Sequence, residues 1–441
     1  MFLNNYFKSD FRKNVFTLMS GTLIGQAIPF FATFFLTRIF TPEDFGVFAI
    51  FISIVNILGT ISTGRYEMAI LLPKRDETAF NLVKISIIIS ALFCLLILFV
   101  IYVFYDFFFN ISKNVELIKY IYYLPLSVFG FAVFKIFAVW FTRIKKYKKI
   151  SLSIIVKSIF GVFFNIGIGY YFGMIGLFLG SVFSSLIAVL IINPITLNNY
   201  KIGKKCFLSL LKEYRKFPIY DVPTSFVYIL AKNGIILIIN KGFLPVITGY
   251  YSLTERLLIA PTQVFVGSYT QVYNQQVTEK FNNKENISLF VLSNIKKVSK
   301  ILILPFILGT YLSEYLIPFF LGDKWIGLHK YIYILSPLIY FSMILNPLGY
   351  VLKIKDRQDI SFVQHLILTF VKLGSLSLCI FFLKFNIFKT LLIYAILSIA
   401  TLTYNTNVIL KVLDLQIKKR FLLYLISMFC IIVSVFNYFF L

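Results

Sequence analysis

The 441-residue chain is 59% hydrophobic and 14% charged, whereas soluble globular proteins carry about 25% charged residues. Its apolar residues fall in blocks of about twenty, the length a helix needs to cross a hydrocarbon core of roughly 30 Å. That excludes a soluble protein. The net charge of +25 sits in short stretches between the blocks, which excludes a nucleic-acid-binding protein as well.

In chain order the blocks predict helical spans over 15–36, 46–63, 85–104, 120–141, 151–171, 175–195, 218–240, 249–270, 301–321, 331–351, 361–383, 390–410 and 421–440. Alternate connections then collect the Lys and Arg. The set that includes the N-terminus holds 31 of the 43, in the first 14 residues and in 64–84, 142–157, 196–216, 271–300, 352–360 and 411–420. The opposite set holds 8 and the spans hold 4. Basic connections face the cytoplasm, so the N-terminus is expected there. The polar, basic start and the long stretch from Val15 onward predict an uncleaved anchor, not a signal peptide. The expected fold is all-α, a polytopic membrane protein with about 12–14 transmembrane helices.

The connections on the less basic side are short, and 271–300 is expected to hold a surface helix. Trp140 and Trp325 sit at span ends, as interfacial anchors do. The four cysteines, Cys94, Cys206, Cys379 and Cys430, are scattered and show neither metal spacing nor a disulfide framework.

An internal repeat emerges once the spans are laid out. Phe40-Thr-Pro42-Glu-Asp-Phe-Gly46-Val-Phe48 follows span one, and Phe243-Leu-Pro245-Val-Ile-Thr-Gly249-Tyr-Tyr251 follows span seven. Both read F-x-P-x-x-x-G-x-aromatic and both join two spans on the outer side. Six spans separate them, an even number, so the halves are expected as parallel repeats. The expected organisation is an N-terminal six-helix lobe over 1–200, a cytoplasmic linker over 201–216, a C-terminal six-helix lobe over 217–412 and an extra span in 413–441. Gly21-x-x-x-Gly25, Gly169-x-x-x-Gly173 and Gly176-x-x-x-Gly180 predict close helix packing.

Ionisable residues at membrane depth cost about 2.5–3.5 kcal/mol each on an insertion scale, so each needs a function or an escape route. Lys232 lies near the middle of span seven and Lys372 at the centre of span eleven, where neither reaches a headgroup easily. Both suit an anionic cargo. Asp221 is eleven residues from Lys232, and His365 seven from Lys372, so each pair shares a helix face. Glu255 and Arg256 lie about two turns into span eight, as an internal pair or as cargo contacts. Glu314 lies in the outer half of span nine. Lys135 is close enough to the inner interface to snorkel, and it is also a candidate for the cargo. Asp221, Glu255, Glu314 and His365 are candidates for a coupling H⁺ or Na⁺. No Gly-rich phosphate loop, zinc motif or nucleophile–base pair occurs, so an enzyme is not expected, and no further cofactor is.

Specific runs carry a family resemblance: Ser20–Gln26 (SGTLIGQ), Arg38–Gly46 (RIFTPEDFG), Gly64–Pro73 (GRYEMAILLP), Phe217–Pro223 (FPIYDVP), Gly249–Pro261 (GYYSLTERLLIAP) and Gln271–Val272. Together they resemble Wzx-type flippases of the multidrug/oligosaccharidyl-lipid/polysaccharide exporter superfamily. The resemblance implies two six-helix lobes around a central cavity open to one side at a time. It implies an undecaprenyl-diphosphate-linked oligosaccharide as cargo, for O-antigen or capsule, turned to the outer leaflet of a bacterial inner membrane by cation coupling. It adds Arg65 and Glu67 of the GRYE run to the candidates and supports Asp221 and Arg256. Partners would be the lipid-linked oligosaccharide, membrane lipids, and a polysaccharide polymerase with its chain-length regulator. The alternatives are a cation-coupled small-molecule exporter of the same superfamily and a membrane glycan polymerase. The first usually takes cationic cargo, and the second would carry a large outer loop with catalytic Arg or His.

Overall fold

A computed structural model describes residues 2–106, 115–192 and 204–413. Among these, every regular element is helical, as the length of the apolar blocks demands. The longer helices are α1 (Phe2–Ile39), α2 (Pro42–Ile61), α4 (Asp76–Val103), α6 (Leu124–Arg143), α7 (Tyr147–Phe172), α8 (Ile175–Ile192), α10 (Val222–Gly242), α11 (Pro245–Asn282), α12 (Ile287–Leu321), α13 (Leu328–Leu345), α15 (Gln358–Ser377) and α16 (Ile387–Val412). Each coincides with one of the first twelve expected spans. Ten helical segments among the described residues are long and apolar enough to cross a membrane, and Ile175–Ile191 is a shorter apolar helix. The expected span 421–440 lies outside the described residues. Four short helices complete the set: α3 (Tyr66–Ala69), α5 (Val115–Lys119), α9 (Lys204–Glu213) and α14 (Tyr350–Ile354).

The chain divides into two compact units, Met1–Gly249 and Tyr250–Leu441. In the first, Ser151 Oγ donates to Thr17 O at 2.6 Å and Ser158 Oγ donates to Gly25 O at 2.6 Å. These bonds hold α7 against α1 at the Gly21-x-x-x-Gly25 stripe, where small residues let backbones meet. The start of α2 is built by its sequence. Thr41 caps it, accepting from the Asp44 N–H at 3.3 Å, while Asp44 accepts from the Thr41 N–H at 2.8 Å. Pro42 fills the first helical position, where its missing N–H costs nothing.

The Pro–Gly segments of the two repeat copies, 42–46 and 245–249, meet inside this unit. A Cβ placed on Gly46 would lie 1.9 Å from the Pro245 carbonyl oxygen, and one on Gly249 would lie 1.7 Å from the Pro42 carbonyl oxygen. Each glycine therefore rests on the proline carbonyl of the other copy, an approach only a residue without a side chain allows. Further along α2, Asn56 Nδ2 donates to Asn233 Oδ1 of α10 at 3.1 Å.

Two expectations are corrected. Trp140 is 7% exposed and packs edge-on against Phe80 at 5.1 Å, and Trp325 is 0% exposed beside Tyr250. Both are core residues, not interfacial anchors. The stretch 271–300 holds no separate surface helix: α11 continues to Asn282 and α12 begins at Ile287. Their 38 and 35 residues exceed the roughly 20 that a crossing needs. Asn286 caps the second, accepting from the Leu289 N–H at 3.3 Å. In the turn between them Lys280 hydrogen-bonds Glu285, which holds that exposed carboxyl below its ordinary range.

Candidate functional site

The GRYE run forms the turn after α2. Gly64 (φ 59°) and Arg65 (φ 61°) are both left-handed, a conformation that glycine adopts freely and arginine does not. The Arg65 N–H donates to Thr63 Oγ1 at 3.2 Å, which offsets part of that strain. The turn folds the Arg65 side chain onto a residue two places ahead. Arg65 Nη1 donates to Glu67 Oε1 at 3.0 Å, and Lys135 Nζ of α6 reaches the same oxygen at 3.2 Å. The Thr63 hydroxyl donates to Glu67 Oε2.

Burial decides what this cluster is. The Glu67 side chain is 0% exposed, Arg65 12% and Lys135 26%. A lone carboxylate there would be strongly disfavoured, and its three donors are what keep it. Two cations and one anion leave the group with a net positive charge. Arg65 Nε, itself buried, has no hydrogen-bond partner. A guanidinium offers five N–H donors and an ammonium three, so the cluster keeps donors beyond those that Glu67 takes.

Apolar side chains surround the turn. Tyr66, between the two charged residues, is buried and donates its hydroxyl to Leu211 O at 3.1 Å, tying the turn to the region of α9. Ile70, Phe80, Ile136, Phe137 and Leu210 enclose it. On the following loop, Arg143 donates from Nη1 to Ile70 O at 3.0 Å, from Nη2 to Pro73 O at 2.6 Å and from Nε to Asp76 at 3.0 Å. Arg143 thus fastens residues 70–76 to the end of α6.

The other candidates lie on α10 and the turn before it or in the second unit. Lys232 is exposed on α10, and Asp221 is half-buried where a π-helical turn, Phe217–Asp221, runs into that helix. In the second unit Glu255 lies within electrostatic reach of Lys372, Tyr251 and Tyr394. Tyr251 and Tyr394 are each 3% exposed, so this is a second polar group enclosed by apolar helices. Arg256, next to Glu255 on α11, is half-buried. Glu314 is exposed, accepts from the Tyr333 hydroxyl at 3.5 Å and is close to His329. His365 is exposed on α15, with Lys353 its charged neighbour.

Of the ten candidate residues, then, Arg65, Glu67 and Lys135 are in contact, and Glu255 lies within electrostatic reach of Lys372. Lys135 does not snorkel: its ammonium turns to Glu67. Sequence reasoning missed Thr63, because a hydroxyl leaves no charge to count. It also missed Lys157, assigned to a basic connection, whose ammonium lies over the Phe134 ring at 4.8 Å.

Solved structures share this polytopic helical fold. An inward-closed lipid II flippase MurJ matches with TM-score 0.66 and 16% identity, over 98% of this chain and 98% of that one. An inward-facing multidrug resistance MATE family transporter of the MOP superfamily matches with TM-score 0.65 and 16% identity, over 89% and 95%. A MOP superfamily transporter from Pyrococcus furiosus gives 0.59 and 15%, over 92% and 97%. At these identities the likeness is one of fold. No curated protein matches the sequence. Residues 35–330 match the model of the polysaccharide biosynthesis protein family; the chain belongs to that family.

Proposed function

We propose that this protein is a flippase that carries an undecaprenyl-diphosphate-linked oligosaccharide, the repeat unit of O-antigen or capsule, from the cytoplasmic to the outer leaflet. The observation that carries the reading is the buried Arg65–Glu67–Lys135 cluster, cationic in sum, with a guanidinium Nε still unpartnered. A diphosphate leaving water needs fixed positive charge in its place. Membership of the polysaccharide biosynthesis family supports a glycan as the cargo's other end. The basic connections support a cytoplasmic N-terminus in a bacterial inner membrane. In this reading the two lobes, 1–200 and 217–412, alternate in access, and a polymerase and chain-length regulator take over the product.

Coupling to H⁺ or Na⁺ is part of the proposal. Glu255 is a candidate for the coupling site, because Lys372, Tyr251 and Tyr394 lie within electrostatic reach of it. Proteoliposomes carrying a fluorescent short-chain isoprenyl-diphosphate oligosaccharide test both points. Transfer between leaflets should require the protein and respond to a pH or Na⁺ gradient. Efflux of a cationic dye without transfer of the lipid would establish the small-molecule exporter instead. Transfer indifferent to both gradients would remove the coupling.

A further inference from the structure

The cargo reading leaves one member of the cluster unexplained. If Arg65 and Lys135 exist to hold phosphate, the carboxylate between them works against that task. Glu67 accepts from Arg65 Nη1 and Lys135 Nζ with one oxygen and from Thr63 with the other, and none of its surface is exposed. It is therefore fully satisfied when no cargo is present. Both cations keep unused donors, and Arg65 Nε is buried without an acceptor.

Charge accounting explains the arrangement. Two cations brought together in a partly buried site repel one another and lose hydration, so an empty site without an anion would be costly. A carboxylate fixed between them offsets that cost. The same carboxylate subtracts from the attraction felt by an arriving anion, because Arg65 and Lys135 already have a countercharge. A transport site needs both properties, since binding must be favourable enough for entry and weak enough for exit.

We infer that Glu67 is a resident counter-anion, which competes with the diphosphate of the cargo for Arg65 and Lys135 and so sets how readily the cargo is released. The inference rests on the flippase reading above. It makes Glu67 a specificity-determining residue: with it in place, a monophosphate gains little over Glu67 itself, whereas a diphosphate brings enough charge to take over the two cations. The left-handed turn at Gly64–Arg65 adds a structural reason for the competition. Arg65 is held close to Glu67 by the backbone, so the carboxylate re-forms its contacts once the anion leaves.

The test uses full-length protein in nanodiscs of neutral lipid, with geranylgeranyl diphosphate as the probe and the monophosphate, inorganic pyrophosphate and added phosphatidylglycerol as separate arms. Glu67→Gln should bind the diphosphate about tenfold or more tightly, the gain expected on removing one close opposing charge. Its discrimination against monophosphate should narrow, and multiple-turnover transfer should slow while a single turnover does not. Glu67→Asp, which keeps the charge, should bind the diphosphate more weakly than Glu67→Gln, and Arg65→Gln combined with Glu67→Gln should lose the gain. Carbodiimide labelling of Glu67 in the unaltered protein, read by mass spectrometry, should rise when the diphosphate binds and Glu67 is released from its cations.

Wild-type binding of the diphosphate with no gain in Glu67→Gln overturns the inference and leaves the flippase reading standing. If wild type binds neither diphosphate nor pyrophosphate and Arg65→Gln transfers lipid normally, the flippase site itself falls, and the inference with it. An effect of phosphatidylglycerol alone would make a bulk lipid headgroup the occupant and overturn the competition. Should Glu67→Gln fail to fold, the labelling decides: a probe-dependent rise supports the inference and a flat response overturns it.

Discussion

Arg65 combines two features that a packing residue has no need of. It adopts a left-handed backbone, and it aims a guanidinium at a carboxylate enclosed in the protein. A non-glycine residue in this region costs of order 1 kcal/mol and persists where the surroundings impose it. Asparagine tolerates the conformation better than arginine, which separates the two roles. Arg65→Asn should leave the abundance of the protein in the membrane near wild type while transfer of the lipid falls by about tenfold or more. Immunoblotting and the leaflet-transfer assay read the two outcomes, and lost protein with undiminished activity per molecule would assign Arg65 to structure. Lys372→Glu should also lower transfer, since it replaces the positive charge within electrostatic reach of Glu255 by a second negative one. Lys372→Arg should preserve more activity than Lys372→Glu. What could be read from sequence at this scale was the residue type and its depth. Lys232, Arg256 and Lys372 stand out because a charge inside an apolar block is unexpected whatever its partner. The partnership of Lys135 with Glu67 did not stand out, because it spans 68 residues and no spacing rule reaches across a bundle.

Among the elements, the start of α2 and that of α11 are the most tightly specified by local sequence. Thr41 and Asp44 close a capping box, Pro42 and Pro245 stand at first helical positions, and Gly46 and Gly249 remove the side chains that would keep the segments apart. Gly46→Ala and Gly249→Ala should each lower stability by about 1–3 kcal/mol, the usual cost of forcing atoms into filled space. Thermal unfolding of the purified protein in detergent would measure it. The double variant should cost less than the two single changes added together, because both move the same pair of backbones. Additive costs would show that the two contacts are independent. The helices themselves were legible, since blocks of about twenty apolar residues have few alternatives to spanning helices. Their ends were less so. The turn at 283–286 and the burial of Trp140 and Trp325 depend on neighbours from other helices, which hydropathy does not identify.

For the whole molecule, the distribution of Lys and Arg makes the firmest statement beyond the helices. With 31 basic residues in one set of connections and 8 in the other, single cysteines introduced on a cysteine-free background at 145, 212 and 284 should react only with reagents that reach the cytoplasm. A cysteine at 326 should react from outside. Labelling of position 145 from outside would invert the orientation and with it the direction of transfer. Charge asymmetry was legible because the membrane potential and the insertion machinery act on the chain before it folds. Individual contacts between helices, such as Asn56 with Asn233, were not, because they form only afterwards.

The meeting of Gly46 with Pro245 and of Gly249 with Pro42 has a consequence for how the chain can change over time. It is an isologous contact of the kind found across a two-fold dimer, where patch i touches patch j and j touches i, yet both patches here belong to one polypeptide. In a homodimer one mutation alters both sides at once, and symmetry keeps them matched. Within a single chain the two nonapeptides mutate separately. A side chain gained by either has to be answered by a backbone movement in the other, so positions 46 and 249 are tied to one another as closely as neighbours in sequence.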